Sequence, residues 1–176
     1  AVDGPTGCRM IALAEETEKK NLKVGVGLML RHCRARRALW ERIRSGEIGE
    51  IVSMRSTTLL GPNNWRLGIK FLSPAGTVQE KPNNSELLFQ IERFLSFLWA
   101  GGGTYSDYYI HQIDACCWMK DAWPEKAHAL GGLHYRHPAV DQNLDTYSVE
   151  YTYPDGTKLF YYGRNMAGCH REWNSF

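Results

Sequence analysis

A strict two-residue alternation near the end of the chain restricts the fold more than any other feature. Polar side chains alternate over residues 146–153 with four large ones, at Tyr147, Val149, Tyr151 and Tyr153. Successive side chains of a strand point to opposite faces, so this alternation predicts a strand with one buried face. The next residues, Pro154-Asp155-Gly156-Thr157, predict a hairpin turn into a second strand over residues 158–162. The chain must therefore build an antiparallel sheet.

The earlier part of the chain shows the 3.6-residue spacing of helices. Apolar residues at this spacing predict helices over four ranges, residues 7–20, 31–46, 85–100 and 104–121. Strands are predicted over three further ranges, residues 22–29, 51–60 and 126–135. Residues 22–29 are apolar almost throughout, as in a strand buried on both faces of a parallel sheet.

Helices in one block followed by antiparallel strands indicate the α+β class: a mostly antiparallel open sheet packed on helices. The first predicted helix and residues 22–29 precede this unit as the remnant of a doubly wound α/β domain. Two apolar stripes are predicted to be buried. The first contains Met10 and Leu13, and the second contains Leu87, Ile91, Phe94, Leu95 and Leu98.

Three glycines, Gly101 to Gly103, lead into the helix that carries most of the candidate chemistry. At about 100° per residue, Asp107, His111 and Asp114 fall within about 60° of one another. The opposite arc is filled by Tyr109, Ile110, Ile113, Cys116 and Cys117. A carboxylate one turn before a histidine can orient the ring and support it as a base. The pattern predicts either an alcohol-oxidising site or a solvated helix face opposite a core stripe.

Charge and composition argue against several classes of function. The formal net charge is +2 and 23% of the residues are charged, so we expect no general affinity for nucleic acid or membranes. No run of about 18 apolar residues is present. Residues 31–46 contain six arginines. Because the net charge is small, we interpret them as a solvated helix face with ion pairs to Glu41 and its neighbours, rather than as a phosphate-binding patch.

The cysteines and the long loop give weaker signals. The five cysteines are odd in number and lack C-x-x-C spacing, which favours reduced thiols over disulfides or a zinc site. Asp107 and His111 are acceptable metal ligands, but two are too few, so we predict no metal. Residues 61–85 form a long irregular stretch of the kind that is usually functional. Within it, Trp65 and Arg66 can offer a ring face and a guanidinium to a sugar, although Trp65 can also be a hydrophobic peg.

Four segments, taken in order, resemble the glucose-fructose oxidoreductase / inositol dehydrogenase (Gfo/Idh/MocA) family. Residues 1–7 resemble the segment that follows the family's Glu-Lys-Pro motif. Gly25-Val26-Gly27 with Arg31-His32 is similar to its last Rossmann strand and crossover. Residues 45–51, with the sequence SGEIGEI, resemble the S-G-x-I-G-x-I entry to its second domain. The most specific match is Gly101-Gly102-Gly103 through His111, which resembles G-G-G-x-x-x-D-x-G-x-H.

The resemblance implies a Rossmann domain followed by an α/β domain with a large open sheet. On this basis residues 1–29 are the remnant of the dinucleotide-binding domain. Residues 30–176 are a substrate-binding and oligomerisation domain that is incomplete at its C-terminal end. The resemblance also implies that His111 faces the substrate hydroxyl as general base or proton relay, with Asp107 orienting it or binding substrate. Weaker candidates for lining the substrate cleft are Arg31, Trp65, Arg66 and Arg136; Asp114 is assigned a structural role.

The cofactor implied for the full-length parent protein is NAD or NADP. The glycine-rich dinucleotide fingerprint and the strands that would hold the cofactor are absent from this sequence. Tyr109 also stands where the motif has a small residue, which would crowd or reshape the site. We therefore expect no cofactor on this chain alone, and no turnover by it.

The predicted function is thus the substrate-side fragment of an NAD(P)-dependent oxidoreductase that acts on a sugar, cyclitol or related hydroxyl compound. Two alternatives remain: a non-catalytic binding or dimerisation module, and an NAD-dependent glycoside-cleaving relative. We expect a sugar-like small-molecule partner, a homodimer through the open sheet, no nucleic acid, no membrane and a cytoplasmic location. The row from Tyr147 to Tyr153 can face either the core or that partner.

Overall fold

A five-stranded mixed sheet, in the order β2-β3-β4-β1-β5, positions every other element. The strands are β1 (Ser53–Leu60), β2 (Lys126–Gly132), β3 (Thr146–Thr152), β4 (Lys158–Asn165) and β5 (Glu172–Ser175). All neighbours pair antiparallel except β1 and β4, which are parallel. This computed structural model describes residues 3–61, 85–134, 141–166, 168–169 and 172–175. The predicted α+β class is confirmed.

One face of the sheet forms the core. The helix α5 (Ile110–Lys120) packs on this face with the buried residues Ile113, Cys116 and Cys117. The alternating row of β3 belongs to the same cluster, since Val149 is buried and Tyr147 and Tyr151 pack against it. The large side chains that alternate along β3 therefore face the core and not a partner. The side chains on the opposite side form the outer face of the sheet.

The predicted hairpin joins β3 to β4. Gly156 lies at φ +85°, a left-handed conformation that other residues rarely adopt. The Asp155 carboxylate accepts a hydrogen bond from the Thr157 backbone N–H at 3.0 Å and pairs with the Lys120 ammonium of α5. The turn thereby fixes the end of the sheet to the helix above it.

The contacts of the Asp155 carboxylate predict that part of the stability of the fold is lost in acid. The Lys120 ammonium, followed by the bonds from Thr157, lowers the pKa of Asp155 from 3.8 to about 2. Because the folded-state pKa lies below that of the unfolded chain, this stabilisation is complete above about pH 4 and is lost as the pH falls toward about 2. We expect the difference in free energy of unfolding between wild type and Asp155→Asn to shrink between about pH 5 and about pH 2 in urea titrations.

The matched control for this measurement is Asp121→Asn. Asp121 is also an exposed carboxylate in an ion pair, with Arg44. A wild-type advantage over Asp155→Asn that stayed constant across this pH range would contradict the assignment.

The first helix, α1 (Gly4–Lys19), begins where the Asp3 carboxylate accepts a hydrogen bond from the Thr6 backbone N–H at 2.7 Å. No residue of α1 is buried, so the prediction that Met10 and Leu13 form a core stripe is wrong. The strand predicted at residues 22–29 is also absent: residues 22–28 are irregular, and a short 3-10 turn follows at Met29–His32. A strand needs a neighbour to pair with, and the described residues place none beside this segment.

The helix predicted over residues 85–100 is broken into three pieces. α3 (Glu86–Glu92) is followed by a 3-10 turn at Phe94–Ser96 and by α4 (Leu98–Gly101). Breaks at Arg93 and Phe97 change the phase of the helix, so the buried aromatic residues are Phe89 and Phe97. Of the predicted stripe only Leu95 is buried; the exposed members are Leu87, Ile91, Phe94 and Leu98.

The arginine-rich segment forms α2 (Arg34–Arg44), an exposed helix, as expected. Arg42 pairs with Glu47 and Arg44 pairs with Asp121, both at the surface. These contacts agree with the interpretation of a solvated face with ion pairs, with Glu47 and Asp121 as the partners. The segment then turns into β1 through Gly46, at φ +82°, and Gly49, at φ +71°.

Candidate functional site

The glycine run is required by close packing at two of its positions. A Cβ on Gly101 would lie 2.6 Å from the backbone oxygen of Phe94. Gly103 has φ +78°, and a Cβ there would lie 2.5 Å from Oδ1 of Asn143. Neither oxygen belongs to a flexible side chain that could move away, so positions 101 and 103 require glycine. The start of the candidate helix is therefore set by this turn.

Asn143 holds the turn in place. Its Oδ1 accepts a hydrogen bond from the Thr104 backbone N–H at 2.7 Å, and its Nδ2 donates to the Leu95 carbonyl at 2.6 Å. Both contacts are buried, which fixes the orientation of the amide. The role of Asn143 was not predicted, because the sequence of the loop around it does not show which backbone groups lie near its side chain.

A π-helical turn, Tyr105–Tyr109, precedes α5 and carries Asp107. Its i→i+5 bonding changes the angle between successive residues, so the uniform 100° spacing does not hold here. Asp107 and His111 are partly exposed, whereas Asp114 is buried. The three residues therefore do not form one solvated face, since Asp114 is buried. The helix ends as predicted, with Asp121 as its left-handed C-cap.

His111 lies at the β5 edge of the sheet. The centroid of its ring is 6.4 Å from that of Trp173, with 39° between the planes. Nδ1 is buried and has no hydrogen-bond partner among the described residues. Within those residues no hydrogen bond joins the ring to the Asp107 carboxylate, so the predicted orienting contact is not formed. The catalytic roles of His111 and Asp107 stay predictions.

Asp114 pairs with Arg31, 83 residues earlier in the chain. Arg31 donates from Nε and Nη2 to the two carboxylate oxygens at 2.9 and 2.7 Å. This hydrogen bond raises the pKa of Arg31, and its guanidinium also lies over the Trp118 ring, 5.8 Å from the centroid. The structural role expected for Asp114 agrees with this geometry. The prediction that Arg31 lines a substrate cleft remains a prediction. It concerns only the N–H groups of Arg31 that do not bond to Asp114.

Of the two effects expected of Tyr109, crowding of the site does not occur. The residue is fully buried, and its ring covers Gly163 of β4. Tyrosine rings surround it, with centroids at 5.9 Å for Tyr105, 5.3 Å for Tyr147 and 5.5 Å for Tyr161. Burial raises the pKa of Tyr109 and Tyr161, and that of Tyr147 to about 12. These phenols therefore stay protonated at neutral pH and act as core, not as bases.

The remaining predicted substrate residues, Trp65, Arg66 and Arg136, lie outside the described part of the chain. An apolar cleft of about 390 Å³ lies between α2 and α5, with Leu39, Ile43 and Met119 in its walls. His111 does not line this cleft, so the candidate catalytic histidine lies outside it.

The other groups of the described residues add no metal or membrane site. All five cysteines carry free thiols. Within these residues no group of three His, Cys, Asp or Glu could hold a metal ion. In the same part of the chain, no helix is both long enough and apolar enough to span a membrane.

The described residues do not fit a dinucleotide. A pyrophosphate is held by a glycine-rich turn between a strand and a helix N-terminus in a parallel βαβ unit. Gly25 and Gly27 lie in an irregular segment, and the described strands contain no such unit. The part of the chain that the structure describes therefore offers no cradle for NAD or NADP.

Comparison with solved structures shows where the same fold occurs. Scyllo-inositol dehydrogenase from Lactobacillus casei, solved with NAD(H) and scyllo-inositol, is 22% identical over 91% of this chain, with a TM-score of 0.57. Myo-inositol 2-dehydrogenase from Lactobacillus plantarum is 18% identical over 100% of the chain, with a TM-score of 0.64. Aldose-aldose oxidoreductase from Caulobacter crescentus, complexed with glycerol, is 15% identical over 87%, with a TM-score of 0.59.

These are matches between structures, and each covers only part of the solved protein. The chain spans 43%, 48% and 38% of the three proteins, respectively. No family model and no curated protein matches the sequence. The predicted resemblance is confirmed at the level of the fold, which this chain shares with these three solved proteins.

Proposed function

We propose that this chain is the substrate-side part of an NAD(P)-dependent oxidoreductase that acts on a sugar, cyclitol or related hydroxyl compound. The observation that carries the proposal is His111: a partly exposed imidazole placed by a glycine turn, in a fold shared with inositol dehydrogenases. An imidazole at such a position can exchange a proton or a hydrogen bond with a substrate oxygen.

Each neighbouring group has a limited part in this proposal. Asn143 and the glycine turn hold the start of the helix, and the Arg31–Asp114 pair fixes the helix against the preceding segment. Asp107, partly exposed on the π turn, is left to bind substrate hydroxyls. The nicotinamide would supply the hydride chemistry, and its binding groups must come from residues other than those described.

Polyol binding tests the proposal. We expect saturation-transfer NMR to show that the purified chain binds scyllo-inositol or glycerol, and that His111→Gln weakens the binding roughly tenfold through the lost hydrogen bond. His128→Gln is the matched control, because His128 is an exposed histidine on β2. The same chain should leave NADH fluorescence unchanged and should not turn over. The absence of polyol binding, equal binding by His111→Gln, or tight NADH binding would each contradict the proposal.

We also propose that the outer face of the sheet pairs with a second copy of the chain. This face exposes Leu130, at 79%, and Tyr162, at 40%, beside the charged side chains Arg55 and Arg164. Apolar side chains in a polar surround are typical of an interface. Sedimentation velocity should show a dimer that Leu130→Glu dissociates and Val26→Glu, at an exposed position outside the sheet, does not. A wild-type monomer at every concentration would rule this interface out.

A further inference from the structure

The apolar cleft between α2 and α5 lies away from the candidate histidine and has the properties of a ligand site. Its volume of about 390 Å³ is within the range of small-molecule sites. The buried residues Met54 and Cys116 line it, and so do Leu39 and Val52, which are 49% and 79% exposed. Apolar side chains left open to water around a concave surface are typical of a groove that binds a ligand.

Arg36 adds a cation to this apolar lining. It is half-buried on α2, and its Nη1 donates only a long hydrogen bond, at 3.4 Å, to the hydroxyl of Ser175. Among the described residues no carboxylate pairs with it, whereas Arg31, Arg42 and Arg44 each pair with one. A guanidinium has five N–H donors, so most of those of Arg36 remain available to a ligand.

The other titratable groups of the lining leave the Arg36 end of the cleft positive. Burial raises the pKa of Cys116 to about 12, so its thiol is neutral at neutral pH. Glu50 is the carboxylate of the described lining, and it also borders a neighbouring pocket with Arg44 and Lys120. Arg44 ends α2, whereas Arg36 lies in its first turn, about 12 Å earlier along the helix axis. The cation and the carboxylate therefore belong to different ends of the cleft.

We propose that this cleft binds a carboxylic acid with a long apolar chain, with the chain along Leu39 and Ile43 and the carboxylate on Arg36. Leu39 and Ile43 are one turn apart on α2 and both line the cleft, so an extended chain can cover both and remove apolar surface from water. The acid is ionised at neutral pH, and a carboxylate matches the planar donors of a guanidinium. This site is separate from the proposed oxidoreductase function, and neither depends on the other.

The methionines of the chain make the test direct. Met54 and Met119 line the cleft, whereas Met10, Met29 and Met166 do not. In the chain labelled with ¹³C-methyl methionine, we expect decanoate to shift the first two signals saturably and to leave the other three in place. Decanol has the same chain without the charge and should bind roughly tenfold more weakly. The absence of a saturable shift, equal shifts of all five signals, or equal affinities for the two compounds would each overturn the inference.

Variants of α2 test the role of the charge. We expect Arg36→Met to weaken decanoate binding roughly tenfold and to leave decanol binding unchanged, which also shows that the cleft is intact. Arg34→Met is the matched control, because Arg34 lies in the same turn but is exposed and does not line the cleft. It should bind decanoate as the wild type does.

Three results with these proteins would contradict the assignment. The first is an equal loss of decanoate affinity in Arg36→Met and Arg34→Met. The second is an equal loss of decanoate and decanol affinity in Arg36→Met. The third is a change of the Met54 and Met119 signals with protein concentration alone, which would show that a second copy of the chain covers the cleft.

Discussion

Replacement of Gly163 by alanine is expected to lower the free energy of unfolding by about 3 kcal/mol, at the upper end of the cost of overpacking a core. The new Cβ would lie 2.6 Å from Cε2 of Tyr109 and 3.0 Å from its Cζ. The Tyr109 ring cannot move away, because it is fully buried among other tyrosine rings. Urea titrations of wild type and variant measure this loss.

Two further variants make this result specific. Gly132→Ala is the matched control, because Gly132 is also a strand glycine and a Cβ added there would meet no other atom within 4 Å. We expect that change to be nearly neutral. Tyr109→Leu makes room at the close approach, so Gly163→Ala should cost much less in that background. An equal loss in both backgrounds would show that the contact is not the cause.

Arg31→Met is expected to lower the free energy of unfolding by about 2 to 3 kcal/mol. Asp114 is 3% exposed, so its carboxylate would be left buried without its bidentate partner. Breaking a buried ion pair costs about 3–5 kcal/mol, and the value is reduced here because Arg31 itself is 36% exposed to water. Arg31→Lys keeps the charge but loses the two-pronged geometry, so an intermediate loss is expected.

The matched control for this pair is Arg42→Met. Arg42 pairs with Glu47, but its side chain is 70% exposed, so its removal should cost less than about 1 kcal/mol. Chemical denaturation of the three arginine variants gives the comparison. If Arg31→Met cost no more than Arg42→Met, the buried pair would not contribute to holding α5 in place.

The local part of the fold could be predicted from the sequence. The alternation of β3 and the turn at Gly156 depend on residues that are neighbours in the chain, and both are present. β5 was missed, since its four residues, Glu172–Ser175, show no apolar alternation. Its pairing with β1 joins Ser56 to Ser175 across more than a hundred residues. Short strands of this kind are set by their neighbours rather than by their own sequence.

The candidate site could be predicted in position but not in geometry. The glycine run and the helix that carries His111 were identified correctly. The π turn was not predicted. It coincides with the burial of Tyr109 against Gly163, and this contact joins segments that are distant in the chain. The partners of the ordered polar groups, Arg31 for Asp114 and Asn143 for the Thr104 backbone, are equally remote in the chain. Helical periodicity cannot show such partners.

His111 is proposed to face a polyol-like substrate. The most direct test follows the ring C–H resonances of His111 while scyllo-inositol is added to the purified chain. We expect a saturable shift of the His111 signals, with those of His32 and His128 unchanged. Binding of the polyol without any shift at His111 would contradict the claim.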